Sequence, residues 1–263
     1  MASRHAITLA GALALACAAA GPAFAGSVTD LGLSLEQVRA LNAQLTAPIA
    51  APGIAFGSPV GFGASWGQAY AGIGGQTLSE GSDSADGSAT LGAGLGDSRR
   101  FLGVDVAMNV ISLQEGFAED GSWGFKFHHT FPFRAALAFG VDDTGGWGDA
   151  REQKSSSYLS YTQVVDLAPE SPKRPLSLAF TLGAGRERFA EPGDDVGAFG
   201  SLALALHRQG SVIVDYHRGD LSLGASAVPF YRMPIVVTIG FINLTGQHAD
   251  TEFAAGVGYL YHF

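Results

Sequence analysis

Apolar residues alternate with small or polar residues over most of the chain from about Gly61 onward. In FLGVDVAMNVISL, every second position from Leu102 to Val110 is apolar, and the positions between them are Gly103, Asp105, Ala107 and Asn109. The stretches SWGFKFHHTF, FRAALAFGV and PLSLAFTLGAG repeat this pattern. Because successive side chains of a strand point to opposite faces, each stretch predicts a strand with one apolar face and one small or polar face.

Turn residues divide the alternating region into about twelve predicted strands, an even number that suits a single-chain bacterial barrel. Their expected bounds are Phe62–Thr77, Ser88–Leu95, Phe101–Leu113, Ser122–Phe131, Phe133–Val141, Ser155–Asp166, Leu176–Gly185, Val196–His207, Ser211–His217, Asp220–Val228, Ile235–Asn243 and Glu252–Phe263. Links after odd-numbered strands are mostly long and acidic, and the others are mostly shorter and more basic. Long outer loops over short periplasmic turns would give this asymmetry, which the short link HRGD breaks.

The composition indicates which face of the strands lies inside. Charged residues make up only 15% of the chain and glycine occurs 37 times, so the face opposite the apolar one is mostly Gly, Ala and Ser. A soluble sheet normally carries many Lys, Glu, Thr and Arg on its solvent face. Small residues suit the inner wall of a closed barrel, whose apolar face would then contact lipid. We therefore predict an all-β fold, a transmembrane antiparallel up-and-down β-barrel of about twelve strands (roughly 10–14) with a short N-terminal helix.

The first residues follow the order of an export signal. A basic start at Arg4, the apolar run Ile7–Ala20 and a small-residue site at Ala23 and Ala25 predict a cleavable signal peptide over residues 1–25. The only cysteine, Cys17, lies inside this segment, so we expect no disulfide or thiol chemistry in the exported chain.

Residues 26–60 are predicted to be an N-terminal periplasmic or plug segment, and residues 61–263 the outer-membrane β-barrel. The segment SLEQVRALNAQL predicts a helix near residues 35–45, with Ser34 as its N-cap and prolines after its end. Three interpretations of this helix remain open: a short plug, a periplasmic partner-binding helix, or a spacer that packs against the barrel.

The last predicted strand carries an apolar set at every second residue that ends in aromatic side chains: Val257, Tyr259, Tyr261 and Phe263. This pattern resembles the C-terminal assembly signal of Gram-negative outer-membrane β-barrel proteins. The resemblance implies a location in the cell outer membrane, contact with outer-membrane lipid and lipopolysaccharide, and recognition by the barrel-assembly machinery. It implies no particular activity.

Charged and polar residues on the predicted inner faces are the candidates for lining the lumen. They are Asp105, Asn109, Lys126, His128, Arg134, Asp215, His217 and Glu252. These side chains could pair with one another and close the barrel, or line a narrow polar route for small solutes. The net charge of −9 argues against nucleic acid as a partner, and GAGLGD fails as a nucleotide-binding motif because no helix follows it, so no cofactor is expected.

Three functional classes follow from these observations. The first is a narrow porin-like channel or passive transporter for small solutes, or a structural barrel without flux. The second is a lipid-modifying enzyme, for which His217, Asp220 and Ser222 lie close in sequence but without the phospholipase arrangement His-x-Ser-Asn-Gly. The third is a soluble periplasmic β-protein. We expect no catalysis and no metal site, because His128 and His129 would point to opposite sides of one strand.

Overall fold

The structure is a computed structural model that describes residues 50–77, 85–110, 118–168, 176–247 and 250–263. The chain divides into two compact units, Met1–Leu45 and Thr46–Phe263, and every described residue belongs to the second. The predicted signal peptide and the predicted helix near residues 35–45 lie outside the described residues. In the described part of the chain, no helix has the length and apolar character needed to cross a membrane.

Twelve strands follow one another along the chain. They are β1 Gln68–Thr77, β2 Ala85–Gly96, β3 Gly103–Val110, β4 Gly121–Phe131, β5 Ala135–Trp147, β6 Ser156–Asp166, β7 Ser177–Gly185, β8 Gly197–His207, β9 Gly210–His217, β10 Asp220–Ala227, β11 Ile235–Ile242 and β12 Glu252–His262. Two short 3₁₀ helices interrupt the links, η1 at Gly148–Glu152 after β5 and η2 at Glu187–Phe189 after β7.

Every strand pairs antiparallel with its sequence neighbours, and β1 pairs with β12 to close a barrel. The closing pair runs from Gln68 opposite His262 to Gln76 opposite Ala254. The prediction of an all-β, up-and-down antiparallel barrel of about twelve strands is confirmed. We call the opening where β1 begins and β12 ends the terminal mouth, and the opposite opening the distal mouth.

The predicted alternation determines which side chains face outward. A belt of exposed large apolar side chains covers the outside, among them Ile73, Leu91, Phe127, Phe139, Leu159, Leu182, Leu202, Val214, Leu223, Ile239, Phe241, Phe253 and Val257. The alternate positions are small or polar and buried, for example Ser160, Thr162, Thr181, Ser201 and Ser226. The barrel therefore has an apolar outer surface and a polar inner surface.

Residues 50–65, which we call the luminal segment, lie inside the barrel. The predicted first strand began at Phe62, but β1 begins only at Gln68. Ala51 and Pro52 line a cavity at the terminal mouth together with residues of the β4–β5 and β6–β7 links. The segment then reaches the inner walls of β8, β9 and β10 and returns past β6, β4 and β3 to Gln68. The two ends of the segment, Ala51 and Ser65, thus lie at the same mouth.

The fifth strand is longer than predicted, because it continues to Trp147 instead of ending at Val141. Its extension is paired with β4 across two register shifts, between Gly121 and Phe125. Such bulges let a strand bend and redirect its side chains. As a result, Asp142 and Asp143 belong to the barrel wall and not to a loop.

Candidate functional site: the barrel lumen

One buried carboxylate holds the bend of the luminal segment. Asp215 on β9 is 1% exposed. Its Oδ2 accepts hydrogen bonds from the backbone N–H groups of Phe56, Gly57 and Ser58 at 2.9, 3.2 and 3.2 Å. Its Oδ1 accepts a further one from the Ser58 hydroxyl at 2.7 Å. Backbone groups with no strand partner must find others when buried, and here a single charged side chain supplies four bonds.

A second carboxylate holds the return of the segment toward β1. Asp105 on β3 is 6% exposed, and its Oδ2 accepts the backbone N–H of Ala64 at 3.0 Å. Its Oδ1 accepts the Tyr70 hydroxyl at 2.8 Å. His128 on β4 lies 2.9 Å through Nε2 from the Ala64 carbonyl oxygen. Because a carbonyl oxygen only accepts, this contact assigns the proton to Nε2.

Hydroxyl and ammonium groups of other strands complete the attachment. Ser226 and Thr162 accept the N–H groups of Gly53 and Gly61, both at 2.8 Å. The segment's carbonyl oxygens accept bonds from wall side chains: Gly53 from Ser211, Ile54 from Ser201 and Phe62 from Lys126. These contacts come from β4, β6, β8, β9 and β10, so the segment is attached to much of the wall.

Glycines permit the closest approaches of the segment to the wall. A Cβ atom on Gly61 would lie 2.3 Å from the Ala136 carbonyl oxygen, and one on Gly94 would lie 2.3 Å from the backbone of Ala64 and Ser65. Real Cβ atoms do not approach backbone this closely, so only glycine fits at either point.

A cavity of about 560 Å³, which we call the vestibule, lies beside the segment. Its polar lining includes Tyr70, Asp105, Asn109, Lys126, Asp142, Asp143, Tyr158 and Arg188. Arg188, from η2, reaches across to Asp142 at 2.9 Å and to Asp143 at 3.9 Å. The vestibule therefore contains both signs of charge, with most of the charged groups already paired.

Two further cavities follow the wall formed by β11, β12, β1 and β2, and together we call them the seam cavity. One has a volume of about 640 Å³ and is bounded on the segment side by Ala55, Phe56 and Gly57. The other, of about 310 Å³, extends along the wall to Gly72 and Gly258. Ser88 lines both and also lines the vestibule. The space beside the luminal segment is therefore shared between the vestibule and the seam.

The link between β7 and β8 folds inward and fills another part of the lumen. Phe189 of η2 is fully buried and packs against Tyr158 and Phe199, with ring centroids 5.3 and 5.1 Å away. The His217 ring lies edge-on to Phe189 at 5.7 Å. This aromatic cluster fills the lumen beside β6–β9 near the β7–β8 link, so open volume remains in the vestibule, in the seam cavity and in the cavity of about 650 Å³ at the terminal mouth.

The structure brings several of the predicted lumen residues together and separates others. Asp105, Asn109 and Lys126 line the vestibule, while Asp215 and His217 line the seam cavity. His128 is buried beneath the segment, and Glu252 is buried at the start of β12. Arg134 instead lies in the exposed β4–β5 turn, has a positive φ of 58°, and pairs with Asp166 at the terminal mouth. Arg134 also lines the cavity at the terminal mouth.

Five of these polar lining residues of the vestibule were not predicted from the sequence: Tyr70, Asp142, Asp143, Tyr158 and Arg188. Tyr70, Asp142 and Tyr158 occupy inward positions of their strands, and the alternation contained this signal. Tyr70 and Tyr158 are uncharged aromatic residues, and Asp142 and Asp143 follow the expected end of their strand at Val141, so the alternation alone did not predict them as lumen residues. Arg188 lies in a link that folds inward, and no periodicity in the sequence indicates such a fold.

The four aromatic and apolar residues of the predicted assembly signal lie on one face of the end of β12. Val257, Tyr261 and Phe263 are exposed, and Tyr259 is half-buried. Phe263 donates its backbone N–H to the Gly67 carbonyl at 2.9 Å, and its ring packs edge-on against Trp66 at 6.1 Å. An aromatic group is thus gathered at the terminal mouth.

The described histidines and carboxylates form neither a Ser–His pair nor a metal-binding cluster. No described histidine hydrogen-bonds a serine hydroxyl: His128 and His129 contact carbonyl oxygens, His262 contacts Gln68, and His207 accepts a backbone N–H. Asp220 binds Thr245 and Gln247, not His217. Within the described ranges, no group of three or more His, Cys, Asp or Glu side chains could hold a metal ion.

Comparison with known proteins assigns no family to the chain. No protein-family model matches the sequence, and no curated protein is significantly similar to it. The functional argument therefore depends on the barrel and its lumen.

Proposed function

We propose that this protein is an integral outer-membrane β-barrel that acts as a narrow channel for small solutes. The observation that carries the proposal is the pair of open cavities beside the luminal segment, inside a closed barrel whose outer face is apolar. The segment narrows the lumen, and the vestibule and seam cavity provide the remaining space for a solute.

The outer belt supports a membrane location. Side chains such as Leu182 and Leu202 are 63% and 53% exposed, and similar residues surround the barrel. Soluble monomers rarely expose contiguous apolar patches of more than a few hundred Å². A closed sheet leaves no unpaired edge, which is the condition for strands to cross lipid. The resemblance of the end of β12 to an outer-membrane assembly signal agrees with this location.

The position of the luminal segment supports a narrow route. The segment makes contacts with wall residues between β3 and β10, the Phe189 cluster packs beside β6–β9, and the seam wall carries Gly72, Gly74, Gly256 and Gly258. A Cβ added at any of these four glycines would meet nothing closer than 3.5 Å. We propose that solutes pass between this wall and the segment.

Single-channel recording tests the proposal. Purified protein, extracted in detergent, is reconstituted into planar bilayers, and conductance is measured in symmetric salt. We expect small, reproducible conductance steps, well below those of an open sixteen-stranded porin. A protein that inserts into the bilayer, as judged by protease protection in vesicles, but carries no current would contradict the channel and leave a structural barrel.

We further propose that outer-membrane lipid and lipopolysaccharide surround the belt and that the barrel-assembly machinery recognises Val257, Tyr259, Tyr261 and Phe263. We propose no catalytic role, since the described lumen contains no serine paired with a histidine. If the purified barrel carried no current but hydrolysed lipid esters, a lipid-modifying enzyme would become the preferred function.

A further inference from the structure

We infer that the vestibule is a binding site for small neutral polyhydroxylated solutes, such as simple sugars. The inference names the solute class of the proposed channel and so rests on the proposed function. The inference depends on hydrogen-bonding groups of the vestibule that have no protein partner within the described chain.

These groups can donate hydrogen bonds but have no acceptor for them among the described residues. Tyr158 is 4% exposed and lines the vestibule, yet its hydroxyl has no hydrogen-bond partner among the described residues. Asn109 accepts the Thr90 hydroxyl through Oδ1 at 2.8 Å, while its Nδ2 has no partner in the described chain. The Lys126 ammonium makes one hydrogen bond there, at 3.3 Å to the Phe62 carbonyl, although it has three N–H groups. A ligand that fits must therefore present several acceptors.

The carboxylates of the vestibule have partners but also spare acceptor capacity. Asp105 accepts Tyr70 and Ala64, and Asp142 accepts Arg188. An ionised carboxylate has about four lone-pair sites, so each can accept one more donor. Asp142 Oδ1 and Asn109 Nδ2 both lie close to Gly124, at 2.9 and 3.8 Å from the position of an added Cβ. An acceptor and an unfilled donor are thus adjacent.

Hydroxyl groups match this mixture, because each can accept from the ammonium or amide and donate to a carboxylate. Three aspartates against Lys126 and Arg188 disfavour a free anion. A free cation would have to approach Lys126, the charged group with the fewest partners. A neutral solute with several hydroxyls avoids both the repulsion of an anion by the aspartates and the repulsion of a cation by Lys126.

The two tyrosines show how the site keeps its space. Tyr70 pairs with Gly92 and Tyr158 pairs with Gly140 in the sheet register. A Cβ on either glycine would lie within 2.5 Å of the tyrosine hydroxyl oxygen. The hydroxyl end of each tyrosine therefore lies over its glycine partner, against the wall, and leaves the space of the vestibule open.

The test is a titration of the purified full chain, folded in detergent micelles, followed by saturation-transfer NMR. The probes are D-glucose, sodium succinate and putrescine. We expect saturable binding of glucose only. Lys126→Met should weaken it about ten- to a hundredfold, as for a lost bond to a charged group, and Tyr158→Phe about two- to tenfold.

Two matched variants serve as controls. Lys154→Met removes an exposed lysine that pairs with Glu187, and Tyr161→Phe removes a hydroxyl on the same strand that bonds Gln163. Neither residue lines the vestibule, so glucose binding should not change. If Lys126→Met does not fold, as judged by heat-modifiable gel migration, the conservative Tyr158→Phe decides.

Tighter binding of succinate or putrescine, no saturable binding of any probe, or equal effects in variants and controls would overturn the inference. Channel conductance is measured separately. Conductance without glucose binding overturns only the vestibule site, whereas glucose binding by a protein without conductance overturns the channel and leaves the site.

Discussion

At the scale of single residues, glycines on the inner wall serve two opposite purposes. Gly92 is covered by the Tyr70 ring, and a Cβ there would lie 2.2 Å from the ring carbon Cζ. Gly256 faces open space in the seam cavity, and its nearest contact would be the Ile73 carbonyl at 3.5 Å. The first glycine makes room for a neighbour, and the second leaves room for a solute.

Leucine substitutions at these two glycines should therefore separate stability from conductance. Gly92→Leu should lower the free energy of unfolding by about 1–3 kcal/mol, because it forces Tyr70 off Asp105. Gly256→Leu should leave stability unchanged and reduce conductance to less than about half, because its side chain projects into the route. Denaturant unfolding and bilayer recording measure the two effects. Unchanged conductance in Gly256→Leu would show that the solute route does not pass through the seam cavity.

At the scale of elements, the luminal segment is held mainly by hydrogen bonds to its backbone, while Ile54 and Phe56 pack against the buried side chains of the wall. Asp215 makes four of its contacts, and serines and threonines of the wall make several others. Such a segment stays in place only while these acceptors are present, since it has no strand partner of its own.

Removal of the Asp215 carboxylate should loosen the segment. Asp215→Ala leaves three backbone N–H groups without their acceptor, a loss of about 2–4 kcal/mol in the free energy that holds the bend. We expect a larger, flickering conductance in a barrel that still assembles. Asp120→Ala is the matched control: it removes an aspartate before β4 that accepts the N–H group of Asp149 and makes no hydrogen bond to the luminal segment. Equal currents in both variants would contradict an anchoring role.

The aromatic end of β12 permits a second test at this scale. Phe263 is 66% exposed, so Phe263→Ala removes little packing. We expect the refolded barrel to keep its unfolding midpoint, while the amount of folded barrel in cell envelopes falls severalfold. Quantitative immunoblots after heated and unheated electrophoresis measure this yield. An equal yield of folded protein would argue against recognition of this residue during assembly.

The strands could be predicted from the sequence because burial on one side alone imposes a period of two. The luminal segment could not be recognised, since Ile54, Phe56, Val60 and Phe62 alternate with small residues and proline as they would in a strand. Phe62 was therefore assigned to the first strand. For the vestibule, the inward positions of Tyr70 and Tyr158 were present in the pattern, but the inward fold of Arg188 depends on packing of the link around Phe189.

At the scale of the whole molecule, the apolar belt distinguishes a barrel in lipid from one in water. Leu202 and Leu206 lie on the same strand, and both are 53% exposed. Leu202 is at the middle of β8, whereas Leu206 is near its end at the terminal mouth. In water the environments of these two positions would be equivalent, whereas in a bilayer Leu202 would lie near the hydrocarbon midplane and Leu206 near the interface.

Arginine substitutions at these two positions should show whether the belt contacts lipid or water. In lipid, Leu202→Arg should cost about 2–4 kcal/mol of folding free energy and Leu206→Arg about 0–1 kcal/mol. In water, both substitutions at exposed sites should stay within about 0.5 kcal/mol. Reversible unfolding from lipid vesicles gives the difference. Equal, small effects would mean that the belt does not contact hydrocarbon.

The path of the luminal segment has a topological consequence. Because both ends of residues 50–65 lie at the same mouth, they form an inserted loop and are not threaded through the ring. Withdrawal of this loop through that mouth would part no strand from its neighbour. It would exchange hydrogen bonds to the wall for hydrogen bonds to water, and it would also expose Ile54 and Phe56, which pack against Ala179, Ala203 and Ile213.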